Sequence, residues 1–445
     1  MTAARGNLNF IYAGRAIAGL GIGATSLTVP VYIAETSPPS IRGRLIGIFE
    51  VASQGGGMTG LWIAYACDQT IPVTSQGQWI IPLALQLLPG VLLFIGMFWC
   101  PESPRWLARQ DDFDKAQKIL CWIRNLPAEH EYIQQEVSSV REQVEQRSRI
   151  NQGKRAQAAK LFVKGTRNRM GVGMALMFLQ SFTGTNILTY YAPRIFESLG
   201  IQGTSNRLFS TGFYGIAKTV GMILFTIWVV EKVGRRKGLL WGSALGCIPL
   251  WYIGGYVMVA DPAAAAAAGT INRDAWGYIA MVGIYLNAIV ICATWQGITW
   301  TYSSEIFPLD IRMLCVSITV ASTWLGSFVI ARSTPFMISD LGYGAYFFFA
   351  GALMLMGIWA FFFIPETKGT LSKLHELFDS PTNFSPHVSG ISLEEMDALF
   401  MKPIHKAVWA QLRGKPILDR TASVLDVEDK VGFEQDEKDE RRVTQ

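Results

Sequence analysis

The chain has 445 residues, half of them hydrophobic and only 16% charged, where a soluble domain carries about 25% charged residues. So little charge cannot coat so much apolar surface, which excludes a string of soluble domains. Forty-three glycines without a three-residue period exclude collagen, and six scattered cysteines (Cys67, Cys100, Cys121, Cys247, Cys292, Cys315) with no C-x-x-C pair are neither a secreted framework nor a zinc site.

A bilayer core of about 30 Å needs about 20 apolar residues in helix. Nine stretches meet this: 10–34, 46–66, 80–100, 171–192, 209–230, 239–260, 277–302, 313–337 and 345–364. Gly and Pro punctuate them freely, as membrane helices tolerate. The first lacks a small-residue cleavage pattern and reads as a span rather than a removed leader. Across all nine there are four formal charges, Arg15, Glu50, Lys218 and Arg332.

The net charge of +5 suggests a nucleic-acid binder until the charges are mapped. Arg42 and Arg44, fourteen Lys/Arg between 101 and 170, the run EKVGRRKG and Arg312 fall in alternate connections, whereas the intervening loops are poor in Lys and Arg. The positive-inside rule makes the basic set cytoplasmic. These charges are therefore read as topology signals rather than nucleic-acid contacts.

Within 101–170, RWLARQDDFDKAQKILCWI has apolar residues at helical spacing and acids ahead of Lys115 and Lys118. It predicts short amphipathic helices on the cytoplasmic face. The division expected is 1–100 as a three-span N-terminal unit, 101–170 as a cytoplasmic helical loop, 171–364 as a six-helix bundle and 365–445 as a cytoplasmic tail. The tail is polar and mixed in charge, with a disordered composition beyond Phe400. No span holds a His, and there is no Ser/His/Asp set, metal cluster or phosphate loop. The expectation is a non-enzymatic protein without cofactor or metal.

The chain repeats itself at long range. Glu35, Pro38, Ile41 and Arg42 make E-x-x-P-x-x-I-R, and Glu305, Pro308, Ile311 and Arg312 make it again 270 residues later. Pro101-Glu102-Ser103 and Pro365-Glu366-Thr367 are offset by 264. Both copies face the same side, the pattern of parallel transporter repeats with a site between them. In the second half three spans precede the one that ends at Glu305, and in the first none precedes the one that ends at Glu35, so symmetry implies nine spans of an expected twelve.

GRAIAGLGIG, VPVYIAETSPPSIRGRL, PESPRWL, LQSFTGTNILTYYAPRIF, EKVGRRKG, TWTYSSEIFPLDIR and PETKG occur in the order of the sugar-porter family of the major facilitator superfamily, which the chain resembles over about 14–369. RGRLIGIFEVASQGGG resembles the fungal quinate-permease branch. The resemblance implies an all-α membrane protein with the major facilitator fold. It also implies alternating-access transport of a sugar, polyol or quinate with proton symport, in the plasma membrane. The alternatives are a nutrient sensor that binds without transporting and an inactive truncated transporter.

The resemblance also implies site residues. The family's substrate Gln-Gln pair falls on Gln180 and Ser181, its Asn on Asn186, its tyrosines on Tyr190 and Tyr191, and its tryptophan on Trp300. Amides offer donor and acceptor to hydroxyls, and an indole offers a flat apolar face. The chain departs from the family at Trp295-Gln296-Gly297, where a proline is usual, and at Thr323 and Ser327, where asparagines are usual. Glu50 and Lys218 fall at substrate-touching positions. Glu50 is the candidate proton carrier, and Arg15 matches an arginine that faces an acid on the first span. Lys218 has three readings, a cavity cation that meets a substrate carboxylate, a Glu50–Lys218 pair, or snorkelling toward the membrane edge. Arg332 reads as snorkelling toward the membrane edge. Glu35, Arg42, Arg105, Glu231, Arg235, Arg236, Glu305 and Arg312 form the expected cytoplasmic gate. Finally, L-E-E-M-D-x-L-F at 393–400 follows PETKG about twenty residues later than in the family, so the stretch between reads as an insertion.

Overall fold

The structure is a computed structural model. It describes residues 8–38, 42–72, 74–149, 161–198, 203–261, 275–307 and 311–366. The expected tail beyond Glu366, with its displaced motif, lies outside them. The described residues contain helices and no strand.

Helix α1 spans Leu8–Thr36 and α2 Arg42–Thr70. The third predicted span is divided at Gln86 into α3, Gly77–Leu85, and α4, Leu87–Met97. Neither α3 nor α4 holds a buried residue, and large apolar side chains of α1 such as Phe10, Ile17 and Leu20 are exposed. In water such a surface would be untenable, but a bilayer solvates it.

The basic loop folds as three short helices: α5 (Pro104–Arg109), α6 (Phe113–Arg124) and α7 (Glu131–Arg149). Ser103 caps α5, its Oγ accepting from the Trp106 N–H, with Pro104 at the first helical position. Asp112 caps α6, which ends on Asn125 in the left-handed region. Leu107, Leu120, Ile133 and Val140 are buried where the three helices meet.

The remaining helices are α8 (Lys164–Gln180), α9 (Thr185–Ser198), α10 (Thr204–Leu224), α11 (Arg235–Ala260), α12 (Ala275–Ile291), α13 (Gly297–Glu305), α14 (Arg312–Phe336) and α15 (Gly344–Phe363). Widened π-helical turns continue α10 through Phe225–Val233, join α12 to α13 through Cys292–Gln296, and continue α14 through Met337–Leu341. The two apolar cores sit here. One is built around Leu176, Trp295, Tyr302, Phe307 and Leu353, the other around Ile187, Phe196, Tyr214, Ile284 and Phe349.

Seven helical segments among the described residues are long and apolar enough to cross a membrane: Leu8–Ile33, Gly77–Met97, Thr204–Val229, Arg235–Ala260, Ala275–Ser303, Arg312–Leu341 and Gly344–Phe363. Nine were expected. The stretch 46–66 lies in α2, a 29-residue helix in which Glu50, Ser53, Gln54 and Gly55–Gly57 dilute the apolar content. The stretch 171–192 is two helices, α8 and α9, broken at 181–184.

Helix α2 runs antiparallel along α10. The Thr219 Oγ1 hydroxyl lies 3.9 Å from Met58 Sδ, and Trp62 stacks edge-on against Phe213 with ring centres 5.8 Å apart. The Ser205 hydroxyl donates to Asp68 at 2.7 Å. In that register Glu50 is level with residues near 224 and Lys218 with residues near 56. The two charges are thus about six residues, or roughly 9 Å, apart along the axis at 1.5 Å per residue.

Candidate functional site

The break between α8 and α9 organises the site. Ser181, Phe182 and Thr183 donate their N–H groups three residues back, to Phe178, Leu179 and Gln180, so the last turn of α8 tightens. Gly184 then takes φ +84°, a conformation that strains residues with a Cβ. Leu188 N–H restarts the ladder on the Gly184 carbonyl. Within a bilayer, irregular backbone is tolerated only where protein or a cavity satisfies it, and half-helix ends are where transporters place their ligands.

Three polar groups gather at this break. Gln180, only 6% exposed, donates from Nε2 to Gln296 Oε1 at 2.8 Å, while its own Oε1 is buried and has no hydrogen-bond partner. Ser181, 1% exposed, donates to the Thr323 carbonyl at 3.3 Å and lies 3.4 Å from Ser327 Oγ. Asn186 donates to Ser327 Oγ at 3.3 Å. The two positions where the family's asparagines are replaced, Thr323 and Ser327, therefore still meet the broken helix, but through a carbonyl and a hydroxyl.

A hydrogen-bonded line leads from the break to Lys218. Thr183 Oγ1 donates to the Gln180 carbonyl at 2.9 Å, and its oxygen is 3.2 Å from Thr185 Oγ1. Tyr214 OH and Thr189 Oγ1 both donate to the Thr185 carbonyl, at 3.3 and 2.8 Å. Lys218 Nζ donates to Thr189 Oγ1 at 3.3 Å and sits 5.9 Å from the centre of the Tyr214 ring. The half-buried Lys218 has no carboxylate partner among the described residues. Glu50, 6% exposed, has neither hydrogen bond nor ion pair among them. The Glu50–Lys218 pair entertained from sequence is thus not formed, as the axial separation explains.

Trp300 is half-buried on α13, one turn beyond Gln296. The side chains of Tyr190 and Tyr191 lie outside the described residues. Arg15 is exposed on α1 and has no partner among the described residues. Arg332 lies over the Phe336 ring at 5.0 Å, near the end of α14.

The expected gate pairs Glu35–Arg42, Glu231–Arg235/Arg236 and Glu305–Arg312 each include a side chain outside the described residues (Arg42, Glu231, Glu305). The structure shows other partners. Glu35 accepts from Ser103 Oγ at 2.5 Å and lies 3.8 Å from Arg109. Burial lowers the pKa of Arg105 from the ordinary arginine value, with Glu35 and Glu136 pulling it back up. Arg124 donates from two of its nitrogens to Glu136, at 2.8 and 3.1 Å, and from the third to the Thr36 carbonyl at 2.9 Å. This ties α6 and α7 to the end of α1. Arg312 donates to the Phe307 carbonyl at 3.2 Å.

At the start of α11, Glu366 accepts from the backbone N–H of Arg235 at 2.8 Å and of Arg236 at 3.1 Å. A carboxylate there satisfies two orphan donors and faces the positive end of the helix dipole. Gly234, at φ +87°, makes room, since a Cβ would sit 2.9 Å from the carboxylate. Arg236 itself donates to the Phe361 carbonyl at 2.6 Å and lies over that residue's ring. Sequence reasoning assigned Arg235 and Arg236 to side-chain pairs and missed Glu366, although the repeated P-E-[ST] motif marks it.

The chain matches the family model described as "Sugar (and other) transporter" over residues 1–378. It is 42% identical over 380 residues to a "Probable quinate permease" of Aspergillus flavus, covering 85% of this chain and 70% of that protein. It is 38% identical over 426 residues to a "Quinate permease" of Neurospora terricola, covering 95% and 75%. Among solved structures it is similar to the major facilitator superfamily proton:xylose symporter XylE bound to 6-bromo-6-deoxy-D-glucose. That likeness has 25% identity and a TM-score of 0.64, and it covers 82% of this chain and 73% of that one. The apolar helices, the broken helix and these likenesses agree: the chain is an integral, multi-pass membrane protein with the major facilitator fold, and it belongs to the sugar (and other) transporter family.

Proposed function

We propose that the chain carries a polyhydroxylated solute bearing a carboxylate, of the quinate type, across the membrane by alternating access with a proton. The observation that carries the reading is Lys218. It is a cation within a span, joined by a hydroxyl-and-carbonyl line to the polar helix break, and it has no carboxylate partner among the described residues. Ionisable groups inside a membrane are costly and functional by default. A substrate carboxylate is the counter-charge this site lacks. Gln180 and Asn186 supply donors and acceptors for ring hydroxyls, Ser181 braces the break against α14, and Trp300 supplies an apolar face. Glu50, buried on α2 without a partner among the described residues, is the residue we assign to the coupled proton. The names of the curated relatives and of the xylose symporter support this solute class and the symport.

The basic connections are assigned to the cytoplasmic side of the plasma membrane, where Glu35, Arg105, Arg109 and Glu366 hold helix ends together while the site faces outward. Glu35 with Ser103 and Arg109, and Glu366 with the start of α11, each brace helix ends within one half, so that each half can rock as a unit. The test is uptake of radiolabelled quinate by cells of a transport-deficient host expressing the chain, across an imposed proton gradient. Accumulation above the medium concentration, abolished by a protonophore, is the expected result. Saturable binding without accumulation would instead identify a sensor.

A further inference from the structure

The family's second substrate glutamine is a serine here, Ser181, and its side chain is spent on Thr323 and Ser327. A different helix supplies an amide at the same place. The widened turn Cys292–Gln296 ends on Gln296, whose Oε1 accepts from Gln180 Nε2 at 2.8 Å. Such π-turns rotate the following side chains relative to a regular helix and recur at functional sites. Helix α13 then begins on Gly297, where an added Cβ would fall 2.4 Å from the Phe225 ring, so the ring occupies the room a proline there would need.

The amide pair is only half used. One hydrogen bond consumes one donor and one acceptor. Gln180 Oε1 has no partner although it is buried, and among the described residues Gln296 Nε2 has none either. The count is the same whichever way round each amide sits. An apolar packing role for Gln296 would leave a buried acceptor unsatisfied for nothing, at the usual desolvation penalty. A bound hydroxyl would satisfy it.

We propose that Gln296 is a substrate-binding residue. With Gln180 it forms a cross-helix amide pair that reads two neighbouring hydroxyls of the solute, one donating to the free amide oxygen and the next accepting from the free amide nitrogen. The proposal rests on the preceding reading of this site as the solute site. It assigns to a π-turn of the second half a recognition role that the broken helix alone cannot fill.

The test is equilibrium binding of radiolabelled quinate to the purified full chain in lipid nanodiscs, which does not require transport. Competitors are quinate analogues each lacking one hydroxyl. Gln296→Leu, close in shape, should weaken quinate binding about tenfold, the worth of one good hydrogen bond. In the parent chain at least one deoxy analogue of the vicinal diol should bind about tenfold more weakly than quinate. In Gln296→Leu that same analogue should bind as well as quinate does, because the group that read the missing hydroxyl is gone. Gln296→Asn, which keeps the amide on a shorter stem, should retain part of the discrimination, and this separates recognition from mere packing. If quinate binds and Gln180→Leu weakens it, yet Gln296→Leu keeps the parent's analogue profile, the role of Gln296 is overturned and the site reading survives. If the parent chain binds no quinate, both fall together.

Discussion

Replacing Lys218 with Asn removes the cation and keeps a polar side chain. Its anchors in the protein are weak: one hydrogen bond to Thr189 at the long distance of 3.3 Å, and a ring contact with Tyr214 at 5.9 Å. Their loss costs the fold about 1 kcal/mol. A charge-assisted hydrogen bond to a substrate carboxylate is worth about 1.5–3 kcal/mol, or roughly a 10- to 150-fold change in affinity at 1.36 kcal/mol per tenfold. Two solutes of similar size report the difference. Quinate carries a carboxylate and myo-inositol does not, so Lys218→Asn should raise the quinate KM by that factor and move the inositol value by less than about threefold.

The assay is initial-rate uptake of each labelled solute, with mutual competition, at matched membrane abundance. Lys218→Arg preserves the charge and should keep the preference for quinate even if the bulkier head slows turnover. An equal loss for both solutes in Lys218→Asn would refute the reasoning. It would mean that the lysine holds α9 against α10 through Thr189 and does not meet the substrate.

Two further substitutions probe the coupling and the scaffold. Glu50→Gln should abolish accumulation against a gradient and leave counterflow exchange of preloaded solute intact, since a side chain that cannot release a proton can still let the loaded carrier reorient. Concentrative uptake at the parent level would remove Glu50 from the coupling step. Glu366→Gln should destabilise the chain by about 1–3 kcal/mol, because two charge-assisted hydrogen bonds at 2.8 and 3.1 Å become at best one neutral one at a positive helix end. A melting curve of the detergent-solubilised protein that superimposes on the parent's would show that the cap is idle.

Much of this architecture is legible in the residues because the bilayer imposes one rule on every span, that apolar length must match its thickness. Where polar residues enter a span the rule stops working, and both departures occur there. Glu50 and the glycine run of α2 lower its apolar content while leaving it helical. Thr183, Gly184 and Thr185 turn 171–192 into two helices, an outcome that hydrophobic periodicity does not encode because the break is held by side chains from α10 and α14. The candidate residues Gln180 and Asn186 could be placed on that stretch by motif alone, but their partners could not. Ser327 and Gln296 are 141 and 116 residues away in the chain. The same limit governs Glu366, which lies 131 residues from the helix it caps. A motif fixes which residue is present at a helix end, and only packing decides which end it meets. Of the positions where the chain departs from its family, Ser181, Thr323 and Ser327 meet one another at the helix break, and Gln296 reaches the same break through Gln180. Departures scattered over a scaffold point to drift, whereas departures that hydrogen-bond to one another point to a site whose recognition set has been exchanged as a unit.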